Sequence, residues 1–166
     1  MSERFHIRIL QKDEIPLLKI FLYEAIHVPE GVEPPDRSIV EKAELKVYTE
    51  NFGTRPGDNC LVAVISGRIV GAVWTRIMND YGHIDDETPS FAISLFKEYR
   101  GRGIGTELMK AMLDLLSLQG YRRASLSVQK DNPALFLYER LGLHTVFENA
   151  EEYVMVRELW KGKEKA

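Results

Sequence analysis

Apolar and polar positions change period several times along the chain, and each change marks an element. "RFHIRIL" alternates and is rich in β-branched and aromatic residues, which predicts a first strand. From Asp13 the spacing becomes helical, with Ile15, Leu18, Leu22, Ala25 and Ile26 on one face and Pro16 tolerable in the first turn. "HVPEGVEPPDRS" reads as a loop. Ser38 and Glu41 have the spacing of a capping box, which predicts a second helix burying Val40, Ala43 and Val47 and stopping near Gly53. "CLVAVI" and "RIVGAVWTRIM" flank a Ser-Gly pair, a strong hairpin signal. After the polar, turn-rich "NDYGHIDDETP", the run "SFAISLF" predicts another strand.

A long helix follows, carrying Ile104, Leu108, Ala111, Met112 and Leu115 on one face and ending near Gly120. "RASLSVQ" alternates, with Ala124, Leu126 and Val128 on one side. "NPALFLYERLG" places Pro133 in a first helical turn, buries Ala134, Leu137 and Leu141, and closes on Gly142. "HTVFENAEEYVMVREL" reads as a final hairpin turning near Asn149–Ala150. The order β-α-α-β-β-β-α-β-α-β-β predicts an α/β fold with a mixed, mostly antiparallel sheet flanked by helices.

Composition narrows this picture. At 166 residues, with no repeat or linker-like tract, the chain is expected to form one domain, residues 1–166. A net charge of −3 gives no support to binding of nucleic acid or an anionic membrane. No segment approaches the roughly 20 apolar residues of a membrane span, and "MSERFHIRIL" lacks the apolar stretch of a signal peptide. One cysteine, Cys60, excludes an internal disulfide framework, and within "CLVAVI" it reads as a core residue rather than a nucleophile. A cytoplasmic protein is the expectation, with "KGKEKA" as a solvated tail.

The chemistry concentrates in "YRGRGIGTELM", residues 99–109, where three glycines precede a helix. Each glycine inside an element costs about 0.5–1 kcal/mol, so the run needs a reason. The first N–H groups of a helix lack internal partners and carry partial positive charge. Glycines let several of them converge on an anion, and Arg100 and Arg102 add charge, so a phosphate or pyrophosphate is the expected ligand. No Gly-Lys-Ser/Thr follows, and Thr106 and Leu108 stand where a dinucleotide fingerprint needs glycine. The competing reading is a glycine-rich turn with no ligand.

"R-G-R-G-I-G", Arg100 to Gly105, resembles the Arg/Gln-x-x-Gly-x-Gly/Ala signature of the GNAT superfamily of N-acetyltransferases. "DNPALFLYERLGL" is similar to that superfamily's second diagnostic segment, and the element order agrees over nearly the whole chain. Leu143 departs from the family's usual phenylalanine.

The resemblance implies acetyl-coenzyme A as co-substrate, with no metal. It implies that the N–H groups of Arg100, Gly101, Arg102, Gly103, Ile104, Gly105 and Thr106 surround its pyrophosphate, those of Gly101 to Thr106 making the grip. The pantetheine arm would pair with the backbone of Ile93, Ser94 and Leu95. Tyr138 matches the tyrosine that protonates the departing thiolate, although its spacing alone reads as a half-buried aromatic. The family's asparagine falls on Asp131 or Asn132; Asn132 is favoured, and helix capping before Pro133 is its other reading. In such a fold Asp85, Asp86 and Glu87 border the acceptor site, where they could attract or deprotonate an amine, or simply form a solvated turn. His83 with Asp85 lacks a second cluster at ligand spacing and is not taken as a metal site. Glu148, Glu151 and Glu152, and the loop acids Glu30, Glu33 and Asp36, are further candidates on the acceptor side. The implied partner is a small-molecule or peptide amine, and many relatives form homodimers. A non-catalytic acyl-coenzyme A binding domain is the alternative function.

Overall fold

The structure, a computed structural model, describes residues 4–159. The "KGKEKA" tail lies outside the described residues. Strand β1 (His6–Ile9) leads into a 3₁₀ turn over Lys12–Leu17 and helix α1 (Leu18–Ala25). A second 3₁₀ turn (Arg37–Glu41) and the short helix α2 (Ala43–Lys46) precede the hairpin of β2 (Asn59–Ile65) and β3 (Arg68–Arg76). Then come β4 (Ser90–Leu95), α3 (Ile104–Leu118), β5 (Arg123–Gln129), α4 (Ala134–Arg140), β6 (His144–Glu148) and β7 (Glu152–Glu158). The order matches the sequence pattern. The strands form one seven-stranded sheet in the order β1-β2-β3-β4-β5-β7-β6, antiparallel except between β4 and β5.

Helices cover both faces, so β2 and β3 are buried almost without interruption. On one face α1 and the segment through α2 pack Leu18, Phe21, Leu22, Val40 and Tyr48 against Val62, Val64, Ala72 and Trp74. On the other, α3 and α4 pack Leu108, Met109, Met112, Leu116 and Tyr138 against Leu61, Val73, Leu126 and Met155. Cys60 is buried in the first of these clusters, and burial pushes its thiol well above the ordinary range.

Two helical segments depart from the sequence expectation. Pro16 has no N–H to give to an i−4 carbonyl, and the chain before Leu18 is wound as 3₁₀. The expected long second helix is broken at Lys42, which is extended at φ −67° and ψ 145°. Ser38 does not cap it. Instead Asp36 accepts from the Ser38 N–H (3.0 Å) and hydroxyl (2.5 Å), moving the cap upstream.

The segment from Val47 to Asp58 is held by Arg76, whose guanidinium is fully buried. Nε and Nη2 donate to the two oxygens of Asp58 (2.9 and 3.0 Å). Nη1 donates to the carbonyls of Val47 (3.1 Å) and Glu50 (2.5 Å), and Nη2 also to that of Asn51 (3.0 Å). Five N–H groups meet five acceptors, which is what a buried guanidinium requires. The Trp74 indole adds a bond to the Tyr48 carbonyl (3.1 Å). Tyr48 is therefore fixed from below by β3, and it faces the cavity described next.

Candidate active site

The parallel strands β4 and β5 are in register at a single pair, Ser90 with Ser125, whereas β3 and β4 pair along six residues. Past that pair the two strands part, and the sheet opens at Ile93, Ser94 and Leu95. A strand with an unpaired edge can add an extended ligand through its own N–H and C=O groups. Leu95 and Ile93 lean toward α3, while the Ser94 hydroxyl donates to the Phe21 carbonyl (2.6 Å) and ties the open edge to α1.

Beyond β4 the glycine loop turns into α3. Gly101 and Gly103 sit at φ +77° and +84°, the left-handed region that disfavours side chains. No neighbour within 4 Å would meet a Cβ at either position, so backbone conformation, not crowding, demands glycine there. Gly103 caps the helix, and its carbonyl takes the Glu107 N–H at 3.2 Å. The N–H groups of Ile104, Gly105 and Thr106 precede the first intrahelical bond and are free to meet an anion. Arg100 behaves differently from the expectation of a loop cation. Its Nε donates to the Leu95 carbonyl (3.0 Å) and its Nη2 to the Glu24 carbonyl (3.2 Å), so it splints the end of β4 to α1. Arg102 lies over the Tyr99 ring at 5.4 Å.

Helix α4 carries Tyr138, which is buried, and burial raises its phenol to about 12. The helix ends in a double cap. The Leu143 N–H returns to the Tyr138 carbonyl (3.0 Å) and the Gly142 N–H to that of Glu139 (3.0 Å), with Gly142 at φ +90°. Arg157 on β7 donates to the Leu141 carbonyl (2.8 Å), locking that end to the sheet. At the other end the Asn132 side chain accepts from the Ala134 N–H (2.9 Å) and also faces the cavity. Asp131 is not part of the lining, but its carboxylate lies 3.3 Å from Nε2 of His27, which is.

Tyr138, Asn132 and the β4 residues Phe91, Ala92 and Ile93 share one cavity of about 390 Å³. It passes through the opening in the sheet, reaching Leu22 of α1 with His27 just beyond that helix, and Glu44 of α2 with Tyr48 just beyond that one. Glu151 in the β6–β7 turn and Glu152 at the start of β7 close it. Burial, and then Glu151 beside it, lift the Glu152 carboxyl above the usual range. Behind Tyr48 lies Asp80, raised by burial despite hydrogen bonds from Ser90 Oγ (3.0 Å) and the Tyr48 hydroxyl.

Of the acidic residues singled out in sequence, Glu151 and Glu152 face this cavity. Asp85, Asp86 and Glu87 do not line it. Asp85 is held by Arg123 (2.6 Å) and by the Thr88 hydroxyl and Glu87 N–H (both 2.8 Å), and Asp86 is exposed near His83. Glu44, Tyr48, Tyr81 and Asp80 carried no local signal, since they meet only through the tertiary fold. No three of the described His, Cys, Asp and Glu side chains converge as a metal site would need, and no described helix is long and apolar enough to cross a membrane.

Comparison with known proteins gives consistent matches. The model of the acetyltransferase (GNAT) family matches residues 23–143. An acetyltransferase of Yersinia pestis is 30% identical over 84% of this chain and 87% of its own length. A mycothiol acetyltransferase of Pseudarthrobacter chlorophenolicus is 28% identical over 65% of this chain, which covers 34% of that protein. The chain thus spans about a third of that relative's length. Among solved structures, the PaiA N-acetyltransferase of Thermoplasma acidophilum in complex with coenzyme A superposes with a TM-score of 0.69 at 18% identity, covering 95% of this chain and 99% of that one. At that identity the likeness is one of fold.

Proposed function

The chain belongs to the acetyltransferase (GNAT) family, and from that premise we propose that it transfers an acetyl group from acetyl-coenzyme A to a primary amine by direct attack. The observation that carries this reading is the single cavity that joins the opened edge of β4 and Tyr138 to three carboxylates. A donor laid along β4 and an amine entering past the carboxylates would meet there.

Each end of the donor has a fitting partner in this chain. The Gly101–Thr106 amides suit its diphosphate, and the Ile93–Leu95 edge suits the amide-bearing arm. An amine arrives as an ammonium and must lose a proton before attacking. Glu152, half-buried and raised in basicity, is the group proposed to take it. The nitrogen lone pair then attacks the thioester carbon, the carbon–sulfur bond breaks, and its electron pair leaves on sulfur. Tyr138, whose phenol stays protonated at neutral pH, supplies the proton to that sulfur. The second proton lost from nitrogen restores the phenol. No acyl-enzyme is needed, and the buried, strongly protonated Cys60 is unsuited to form one.

Thiol release from acetyl-coenzyme A in the presence of an amine panel tests the reading. Amine-dependent release at a rate above the uncatalysed reaction supports it. Saturable binding of acetyl-coenzyme A with no release for any amine would instead mark a binding or sensing domain.

A further inference from the structure

We propose that Tyr48 aims the acceptor amine: its phenol oxygen accepts an N–H from the substrate, and Asp80, behind it, is the positioning residue that fixes the phenol in the orientation this needs. The inference rests on the acetyltransferase reading and deepens it with a pair that handles the substrate in the same cavity. It starts from a carboxyl that the mechanism leaves unused. Asp80 follows β3 on the way to β4 and does not itself line the cavity. Its oxygens take the hydroxyl of Ser90 (3.0 Å), the N–H of Gly82 and the hydroxyl of Tyr48. Ser90 is the β4 residue paired with Ser125. Gly82 lies so close to the backbone of Leu126 and Ser127 that an added Cβ would sit 3.0–3.1 Å from it. The carboxyl is thus anchored to both strands that frame the opening.

A phenol has one hydrogen and two lone pairs, and a carboxylate only accepts. The Tyr48 hydrogen is therefore committed to Asp80, and its lone pairs are left for the cavity that Tyr48 lines. Burial, then Asp80 and more weakly Glu152, push the phenol well above its ordinary value, so it stays a neutral hydroxyl. The backbone beneath the ring is fixed as well. The Trp74 indole holds the Tyr48 carbonyl (3.1 Å), and Arg76 holds those of Val47 and Glu50. An incoming ammonium brings three N–H groups and no lone pair. Glu152, which also lines the cavity, takes one proton, and the Tyr48 oxygen accepts a second N–H. That bond is the pivot about which the freed amine turns its new lone pair from Glu152 to the thioester without leaving the site.

The test measures thiol release from acetyl-coenzyme A with butylamine, benzylamine, ethanolamine and glycinamide. It uses the wild type, Tyr48→Phe, Asp80→Asn and the double variant, each with a melting curve and an acetyl-coenzyme A titration. Tyr48→Phe removes one hydrogen bond to a charged group. For the amine the wild type uses best, kcat/KM should fall about tenfold or more, chiefly through KM, with acetyl-coenzyme A affinity unchanged. Asp80→Asn keeps the size of the side chain but no longer offers acceptors alone. Its amine KM should rise in the wild-type background and rise no further in the Tyr48→Phe protein. A role in folding alone would lower the melting temperature in both backgrounds without that coupling in KM. An unchanged amine KM in Tyr48→Phe, or an Asp80→Asn effect on KM of equal size in both backgrounds, would overturn the inference. Failure of the acetyltransferase reading beneath shows in the wild type itself, as no turnover of any of the four amines, and removes both.

Discussion

Ser90 and Ser125 form the one register pair between β4 and β5, and everything the cavity does follows from the parting of those strands beyond it. The pair is locked from both sides. The Ser125 N–H donates to the Pro89 carbonyl (3.0 Å), and its hydroxyl to that of Gly82 (2.7 Å). Ser90 donates to Asp80 (3.0 Å). The sheet is thus closed firmly at one end of β4 and left open at the other.

The glycines of the loop separate into two kinds by conformation, and a paired substitution should show it. At Gly103, φ +84°, an alanine should destabilise the free protein by about 1–2 kcal/mol. Gly105 lies in the first turn of α3 without that strain, and its Cβ would meet only Leu95 Cδ1, at 3.6 Å. Gly105→Ala should therefore stabilise the free protein by about 0.5–1 kcal/mol, yet weaken acetyl-coenzyme A binding if the diphosphate approaches the backbone there. Denaturant melts and calorimetry on both variants read the two effects separately.

Tyr138→Phe keeps the packing of the ring and removes the proton donor. The turnover number should fall by about 10²–10⁴-fold, with acetyl-coenzyme A affinity little changed. Steady-state rates beside a binding titration measure this, and an unchanged turnover would remove Tyr138 from the chemistry.

Glu152 should trade stability for activity. Its carboxyl is raised above the ordinary range, so the folded protein holds that proton more tightly than the unfolded chain. Stability from this group is then full below the ordinary carboxylate value and falls as pH rises through the raised one. Glu152→Gln removes that loss. Its melting temperature should exceed that of the wild type at neutral pH, and the difference should vanish near about pH 4. Over the same range the variant should lose most amine-dependent turnover.

Most of the architecture was legible from period alone, because the helices and strands that build the site are local patterns. The glycine loop and the "LYERLG" segment were also readable, since each is a cap with fixed residue requirements: Gly103 opens α3 and Gly142 closes α4. On α3 the apolar face was placed slightly off. Met109, Leu113 and Leu116 are buried while Ala111 and Leu115 are only partly so. The second helix is shorter than its pattern implies: Asp36, not Ser38, caps a 3₁₀ turn over Arg37–Glu41, and the α-helix is confined to Ala43–Lys46. The acceptor side of the cavity was least legible. Glu44, Tyr48 and Tyr81 sit on separate segments and meet only in the folded chain, whereas the acidic run at residues 85–87 lies outside the cavity lining, with Asp85 held by Arg123.

Arg76 is the hidden member of this set, an arginine inside an apolar strand whose five acceptor atoms lie on four residues distant in sequence. Asp58→Ala would leave that guanidinium short of its counter-charge, at a cost of about 3–5 kcal/mol. The same change should loosen the segment that carries Tyr48 and raise the KM for the amine. Equilibrium unfolding and acceptor kinetics test the two halves.

The central claim is that the open edge of β4 and the mouth of α3 together hold an acylated pantetheine carrier. A calorimetric titration with acetyl-coenzyme A tests it most directly, using the wild type and Ile93→Trp, which puts an indole into the opening beside Tyr138. The wild type should bind saturably at one site per chain, and the tryptophan variant, still folded by its melting curve, should bind at least about tenfold more weakly. No saturable heat with the wild type, or equal affinity in the two proteins, would contradict the claim.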